Sequence, residues 1–218
     1  MRHARIRAAA PVPTGRQRAP TAASDEKREA ILRVAEKLFH ERGYADTKIE
    51  DIAAALGVTK PYVYYYFRNK QEIFELLSWR PTVEVFTALD LPPDDKRPAH
   101  EKVAAAIKTL IRVSVQYHPA AFFAYREPQA IGPKLRAAQL KLAHHFYDRM
   151  CALLEEARRD GTLDFNDTRI TALAACSIAG FMYSWYRPDG RLAPDEVVRE
   201  LSQLAWRVIG LRRKRRSR

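Results

Sequence analysis

Gly57-Val58-Thr59-Lys60-Pro61-Tyr62-Val63-Tyr64-Tyr65-Tyr66-Phe67-Arg68-Asn69-Lys70 is the stretch on which the reading of this 218-residue chain turns. Gly57 supplies the left-handed residue that a tight turn needs. Thr59 suits a helix N-cap, and Pro61 suits the first turn, where its missing N–H would be unpaired anyway. A short helix therefore runs to Phe67. Asn69 and Glu72 form an N-x-x-E signal that opens another. Upstream, Thr47 or Lys48 opens a helix through Leu56, with Ile49, Ile52, Ala53 and Leu56 facing inward. Two short helices joined at Gly57 have helix-turn-helix proportions, over residues 47–67.

Within the second helix, Val63 and Phe67 lie four apart and share one face. At 100° per residue Pro61 and Tyr65 point away from it, Tyr62 and Tyr64 flank it, and Tyr66 lies nearest the buried side. Tyrosines on an outward face call for a partner. Residues 57–70 hold Lys60, Arg68 and Lys70 and no acid, whereas residues 24–80 hold ten bases and ten acids. Hydroxyls, ammonium groups and helix N-terminal N–H groups are what grips phosphate. Tyr62 and Tyr65 can reach base edges in a major groove.

The stretch resembles the recognition helix and helix 4 start of the TetR family. Gly43-Tyr44-Ala45-Asp46-Thr47-Lys48-Ile49-Glu50-Asp51-Ile52-Ala53 is similar to that family's helix 1–2 joint. The likeness covers about fifty residues, 28–77. It implies a cytoplasmic regulator that binds double-stranded DNA at a palindromic operator as a homodimer and responds to a small-molecule effector. DNA contacts then fall on Thr47, Lys48, Thr59, Lys60, Pro61, Tyr62, Tyr64, Tyr65, Tyr66 and Lys70. Lys48 stands where Ser or Thr is common in the family, Pro61 where Gly is common, Tyr62 where a small residue is usual, and Tyr66 where His is frequent.

The rest of the chain reads as helical, and the expected fold is all-α. An N-terminal three-helix, helix-turn-helix DNA-binding domain (24–70) precedes a C-terminal helical ligand-binding and dimerisation domain (71–210). Residues 1–23, rich in Pro, Ala and Arg, read as a disordered basic arm, and 211–218 as a basic tail. These tails carry eleven of the twelve surplus positive charges. They can hold phosphate or simply be solvated ends. Helix 1 is expected over Asp25–Arg42, stopped by Gly43. Pro81, Pro92, Pro93 and Pro98 punctuate the region after helix 4. Later helices are expected at about 99–118, 119–127, 133–160, 167–186 and 194–210.

The last helix carries Val197, Leu201, Leu204 and Val208 at 4, 3, 4 spacing, an a/d seam. Helix 167–186 carries the small residues Ala172, Cys176 and Gly180 at every fourth position, which lets helices approach closely. Together they form the expected dimer face, with burial inside one protomer as the alternative. If the family pattern holds, Phe86, Tyr117, Phe122, Phe123, Arg126, Phe146, Phe181 and Trp185 surround the effector. The run Trp185-Tyr186-Arg187-Pro188-Asp189-Gly190-Arg191-Leu192 resembles family members that respond to acyl-CoA thioesters, so the implied effector is an acyl-CoA thioester or another apolar small molecule.

Other classes fit poorly. There is no G-x-G-x-x-G, Walker A loop, G-x-S-x-G elbow or H-E-x-x-H, so no catalytic residue, metal ligand or cofactor is expected. His144 and His145 point about 100° apart on a helix and share a metal poorly. Two cysteines, Cys151 and Cys176, in apolar helical patterns read as reduced thiols. The uncharged run Ile170–Tyr186 falls at the lower limit of a spanning helix and reads as a buried one, so no membrane partner is expected. No apolar core follows the first arginines, which argues against a secretory leader. A basic adaptor acting through its tails and an acyl-CoA-binding enzyme stand as the alternative functions.

Overall fold

A computed structural model describes residues 22–211. The expected basic arm lies almost wholly, and the expected tail but for Leu211, outside the described residues. Among the described residues there are nine α-helices and no strand. They are α1 (Ala22–Arg42), α2 (Ile49–Leu56), α3 (Lys60–Tyr66), α4 (Lys70–Phe86), α5 (Ala99–Gln116), α6 (Phe123–Arg126), α7 (Pro133–Arg159), α8 (Thr168–Gly180) and α9 (Pro194–Val208). No helix among them is long and apolar enough to cross a membrane.

The chain forms two compact units. The first takes in residues to Thr82 and also Pro119–Gln139, and the second Val83–His118 and Leu140 onward. This departs from the expected boundary at 70/71. The division falls within α4 and within α7, so each of those helices contributes to both units.

The first unit is built on α1, whose Ile31, Leu32, Ala35, Leu38 and Phe39 are buried at helical spacing. Gly57, at φ +66°, closes α2 as expected: its N–H donates to the carbonyl of Ala54 and that of Val58 to Ala53, both at 3.0 Å. Thr59 occupies the N-cap of α3 in position, although its side chain makes no capping bond, and Pro61 sits in the first turn. Asn69 Oδ1 accepts from the Glu72 N–H at 2.8 Å, while the Glu72 carboxylate accepts from the Arg68 N–H at 2.7 Å. The N-x-x-E signal is thus used, with the carboxylate reaching one residue further back than a capping box requires.

Pro81 does not end α4, which continues to Phe86. A proline in a helix interior removes one ladder hydrogen bond; here the Thr82 hydroxyl adds a bond of its own, donating to the Ser78 carbonyl at 2.9 Å. The helix expected over 119–127 is broken into a 3₁₀ turn (Ala120–Phe122), α6, and a second 3₁₀ turn (Pro128–Ala130), each turn beginning just after or at a proline.

In the second unit, α5 packs on α8 and α9. Val103, Ala106, Ile107, Leu110 and Ile111 of α5, Ala172, Ala175 and Ala179 of α8, Val197, Val198 and Ala205 of α9, and Ile209 just after it are buried. The Trp206 indole N–H donates to the Ala104 carbonyl at 3.3 Å. Asp167 caps α8 through its side chain, accepting from the Ile170 N–H at 2.8 Å. The helix expected over 167–186 stops at Gly180, and Phe181–Ser184 tightens into a 3₁₀ turn. Gly210, at φ +69°, lies so close to Asp164 that a Cβ there would meet its carbonyl oxygen at 1.9 Å. Cys176 is largely covered, and burial pushes its thiol up to about 11; burial also raises that of Cys151.

Candidate nucleic-acid interface

The α3 helix presents two unlike faces. Val63, Tyr66 and Phe67 turn inward and are buried, whereas Tyr64 is 45% exposed and Tyr65 65%. Lys60 and Pro61 are exposed and Tyr62 is half-buried. The inward ring of Tyr66 holds the outer ones in place. Its centroid lies 5.2 Å from that of Tyr62 and 5.0 Å from that of Tyr65, in tilted and edge-on geometries that aromatic pairs favour. Burial raises the Tyr66 phenol above its ordinary range, so it stays a neutral hydroxyl at any physiological pH.

Four side chains from elsewhere fix α3 and its surroundings, and of these only Glu72 is marked in the sequence, by its N-x-x-E spacing from Asn69. The Arg28 guanidinium donates to the Tyr66 carbonyl at 2.8 Å, satisfying a terminal group of α3, and lies 4.5 Å from the Phe67 ring centroid. Glu50, on α2, pairs with the Lys60 ammonium. Glu72 closes the α3–α4 corner. Glu127 accepts from the Tyr44 N–H at 3.4 Å. Arg28 and Glu127 lie 38 and 83 residues from their partners, with no local pattern to mark them.

Besides the inward-turned Tyr66, two residues expected at DNA are occupied otherwise. Thr47 is fully buried, and its hydroxyl donates to the carbonyls of Gly43 at 2.8 Å and Leu38 at 3.3 Å. Its side chain closes the α1–α2 joint and does not reach outward. Lys70 donates to the carbonyls of Tyr44 at 2.6 Å and Ala45 at 3.2 Å, with its ammonium 4.3 Å from the Tyr44 ring centroid. Desolvation lowers its pKa. It staples the same joint, with part of its surface open. Lys48 is exposed at the start of α2, its N–H donating to Asp51 at 2.7 Å. Lys48, Thr59, Lys60, Pro61, Tyr64 and Tyr65 are thus all exposed in one helix-turn-helix.

The residues expected around an effector are shared between the two units. Phe122 and Phe123 are buried in the first unit, where Phe123 stacks on Phe74 at 4.9 Å and meets Phe39 edge-on at 6.2 Å. The neighbouring Arg126 contacts His40 Nδ1 at 3.2 Å. These three lie in the first unit. In the second unit Phe86 and Phe146 pair edge-on at 5.7 Å, and Tyr117 is half-buried. Phe181 and Trp185, by contrast, are exposed.

The expected dimer set also divides. Ala172 and Val197 are buried within the protomer, Cys176, Gly180 and Leu201 are half-buried, and Leu204 and Val208 are exposed. The uncovered apolar stripe of α8 runs instead along Ile170, Leu173 and Phe181 just beyond the helix end, which are 68%, 57% and 62% exposed.

Comparison with known proteins agrees with this architecture. Residues 31–77 match the family model for bacterial regulatory proteins of the tetR family, and residues 96–209 match that for the tetracyclin repressor-like C-terminal domain. The transcriptional activator FasR of Mycolicibacterium smegmatis is 24% identical over 196 residues, covering 88% of this chain and 87% of its own. The TetR-family regulator PfmR of Thermus thermophilus superposes with a TM-score of 0.71 at 27% identity, over 84% of this chain and 99% of its own. AibR, solved in complex with isovaleryl coenzyme A and operator DNA, shares the fold, with a TM-score of 0.66 at 21% identity over 82% of this chain and 97% of its own. The matching families are regulators, not enzymes. With its helix-turn-helix followed by a helical C-terminal unit, the chain belongs to the TetR family of DNA-binding transcriptional regulators.

Proposed function

We propose that the chain acts in the cytoplasm as a homodimeric repressor that occupies a palindromic operator and is released by a small apolar or acyl-CoA-type effector. The observation that carries the DNA part is the outward face of α3, where Tyr64 and Tyr65 stand in water beside exposed Lys60 and Pro61. A two-fold pair sets two such helices about 34–36 Å apart, one turn of DNA. Pairing is supported by the apolar side chains of α8 and α9 that the protomer leaves uncovered: Ile170, Leu173, Phe181, Leu204 and Val208. The edge-on pair Phe86–Phe146 and the half-buried Tyr117 are the aromatic candidates for holding an effector in the second unit. The coenzyme A thioester bound by AibR and the Trp185–Leu192 loop favour the acyl-CoA class. An effector releases DNA only by preferring the state that cannot bind it. Because α4 and α7 contribute to both units, they are the elements through which that preference reaches α3. The near full-length likeness to FasR, an activator, favours activation as the second reading.

Selection of bound duplexes from random DNA, followed by release assays with a panel of small molecules that includes acyl-CoAs, tests operator and effector together. A reporter with the selected site overlapping a promoter then reads the sign. A double substitution L173E/L204E should yield a monomer by sedimentation that binds palindromic DNA at least tenfold more weakly. A variant that stays dimeric would move the interface elsewhere.

A further inference from the structure

The outward edge of the helix-turn-helix carries one feature that works against phosphate binding. Lys60 opens α3, where its exposed ammonium is placed to attract a phosphate. Its charge is already engaged. The Glu50 carboxylate, ten residues earlier on α2, forms a direct ion pair with it, and both side chains are about half exposed. The Lys60 Nζ also stands 5.8 Å from the Tyr64 ring centroid, so ammonium, carboxylate and a candidate groove-facing ring form one cluster. The pairing raises the pKa of Lys60 and holds that of Glu50 below the usual carboxylate range, the hydrogen bond being the main cause of both. No acid occurs within 57–70, so the neutralising group reaches this edge only through the fold.

We infer that Glu50 is an electrostatic brake on DNA affinity: it holds Lys60 as an internal ion pair that must open before the ammonium can take a phosphate. This rests on the reading of Lys60 as a phosphate contact. A free lysine binding phosphate releases a condensed counterion, which gives a salt slope of about 0.9 per contact. A lysine exchanging a carboxylate for a phosphate gains less and contributes a shallower slope. The brake acts alike on every sequence, because phosphate contacts carry no base information. Its effect is to lower the sequence-indifferent background against which the tyrosines of α3 discriminate.

The test is a double-mutant cycle with the full-length protein: wild type, E50Q, K60Q and E50Q/K60Q, titrated against a mixed-sequence duplex about four helical turns long at several salt concentrations. Both positions are solvent-facing, and thermal midpoints establish that all four proteins fold. E50Q should bind several-fold more tightly, with a salt slope steeper by up to about 0.9 per bound protomer. K60Q should cost much more affinity in the E50Q background than in the wild type. An equal gain from E50Q whether or not Lys60 is present would reduce Glu50 to general repulsion and overturn the brake. No gain at all, or weaker binding because Glu50 orients Lys60 for DNA, would overturn it as well. If K60Q costs nothing even in the E50Q background, it is the phosphate role of Lys60 that fails.

Discussion

Replacing Phe123 with alanine asks whether the segment between α5 and α7 is part of the DNA-binding unit. The ring is almost fully buried, lies nearly parallel to Phe74 at 4.9 Å with 13° between the planes, and meets Phe39 edge-on. Removing such a ring loses its transfer energy and leaves a cavity, together about 3–5 kcal/mol. Of this about 0.5–1.5 kcal/mol comes from ring–ring geometry beyond area burial. At 1.4 kcal/mol per decade, opening of the first unit should become between roughly a hundredfold and a few thousandfold more frequent. Hydrogen exchange read by mass spectrometry localises the effect, because amides that exchange by opening of a cooperative unit speed up together. Acceleration is expected in α1 and α4, which carry Phe39 and Phe74, although the substitution lies far away in sequence. F123L keeps much of the volume and should cost clearly less. Exchange that rises only within 119–132, with α1 and α4 unchanged, would show that the segment is not held in that core.

Y65A should weaken operator binding at least tenfold while leaving the unfolding free energy within about 0.5 kcal/mol of wild type, since the ring stands mostly in water; a fall in stability alone would place Tyr65 in a structural role. Gly57→Ala and Gly210→Ala separate backbone conformation from crowding. Both residues have positive φ, but a Cβ at Gly57 meets nothing within 4 Å, whereas at Gly210 it collides with the Asp164 backbone. Urea titrations should give about 1–2 kcal/mol for the first and clearly more for the second. The carboxyl of Glu36 is raised above its ordinary range, chiefly by burial and against the bond from the Ala120 N–H. An acid with a raised folded pKa gives its full support below the unfolded value and loses it as pH climbs through the folded one. E36Q should therefore raise the thermal midpoint at pH 8 and leave it unchanged near pH 4; a uniform shift at both would point to packing instead of charge.

The helix-turn-helix was legible because its determinants are local. Gly57 closes α2, Pro61 fits the first turn of α3, and the alternation of Val63 and Phe67 with tyrosines assigns inner and outer faces within a few residues. Thr47 marks the limit of that reading, since only its 2.8 Å bond to the Gly43 carbonyl shows the hydroxyl turned inward. Arg28, Glu50 and Glu127 act across 10 to 83 residues, where no periodicity links them to their partners. Phe122 and Phe123 mark a second limit, because a buried ring looks the same in sequence whichever core receives it. The seam of α9 shows a related ambiguity. Val197, Leu201, Leu204 and Val208 recur as expected, yet the helix also carries Val198, Ser202 and Ala205 inward, with Ile209 following it, so the pattern names an apolar stripe without saying what covers it.

The thiol of Cys176 has a practical meaning for how this regulator can sense its surroundings. Burial pushes its ionisation up to about 11, so at pH 7 the neutral thiol predominates heavily. Peroxides and electrophilic drugs attack the thiolate, so burial blunts the response of this residue to them. Maleimide labels introduced at engineered surface cysteines would find little competition from it, so Cys151, less deeply covered, is the natural thiol to replace before distance measurements by spin or dye pairs.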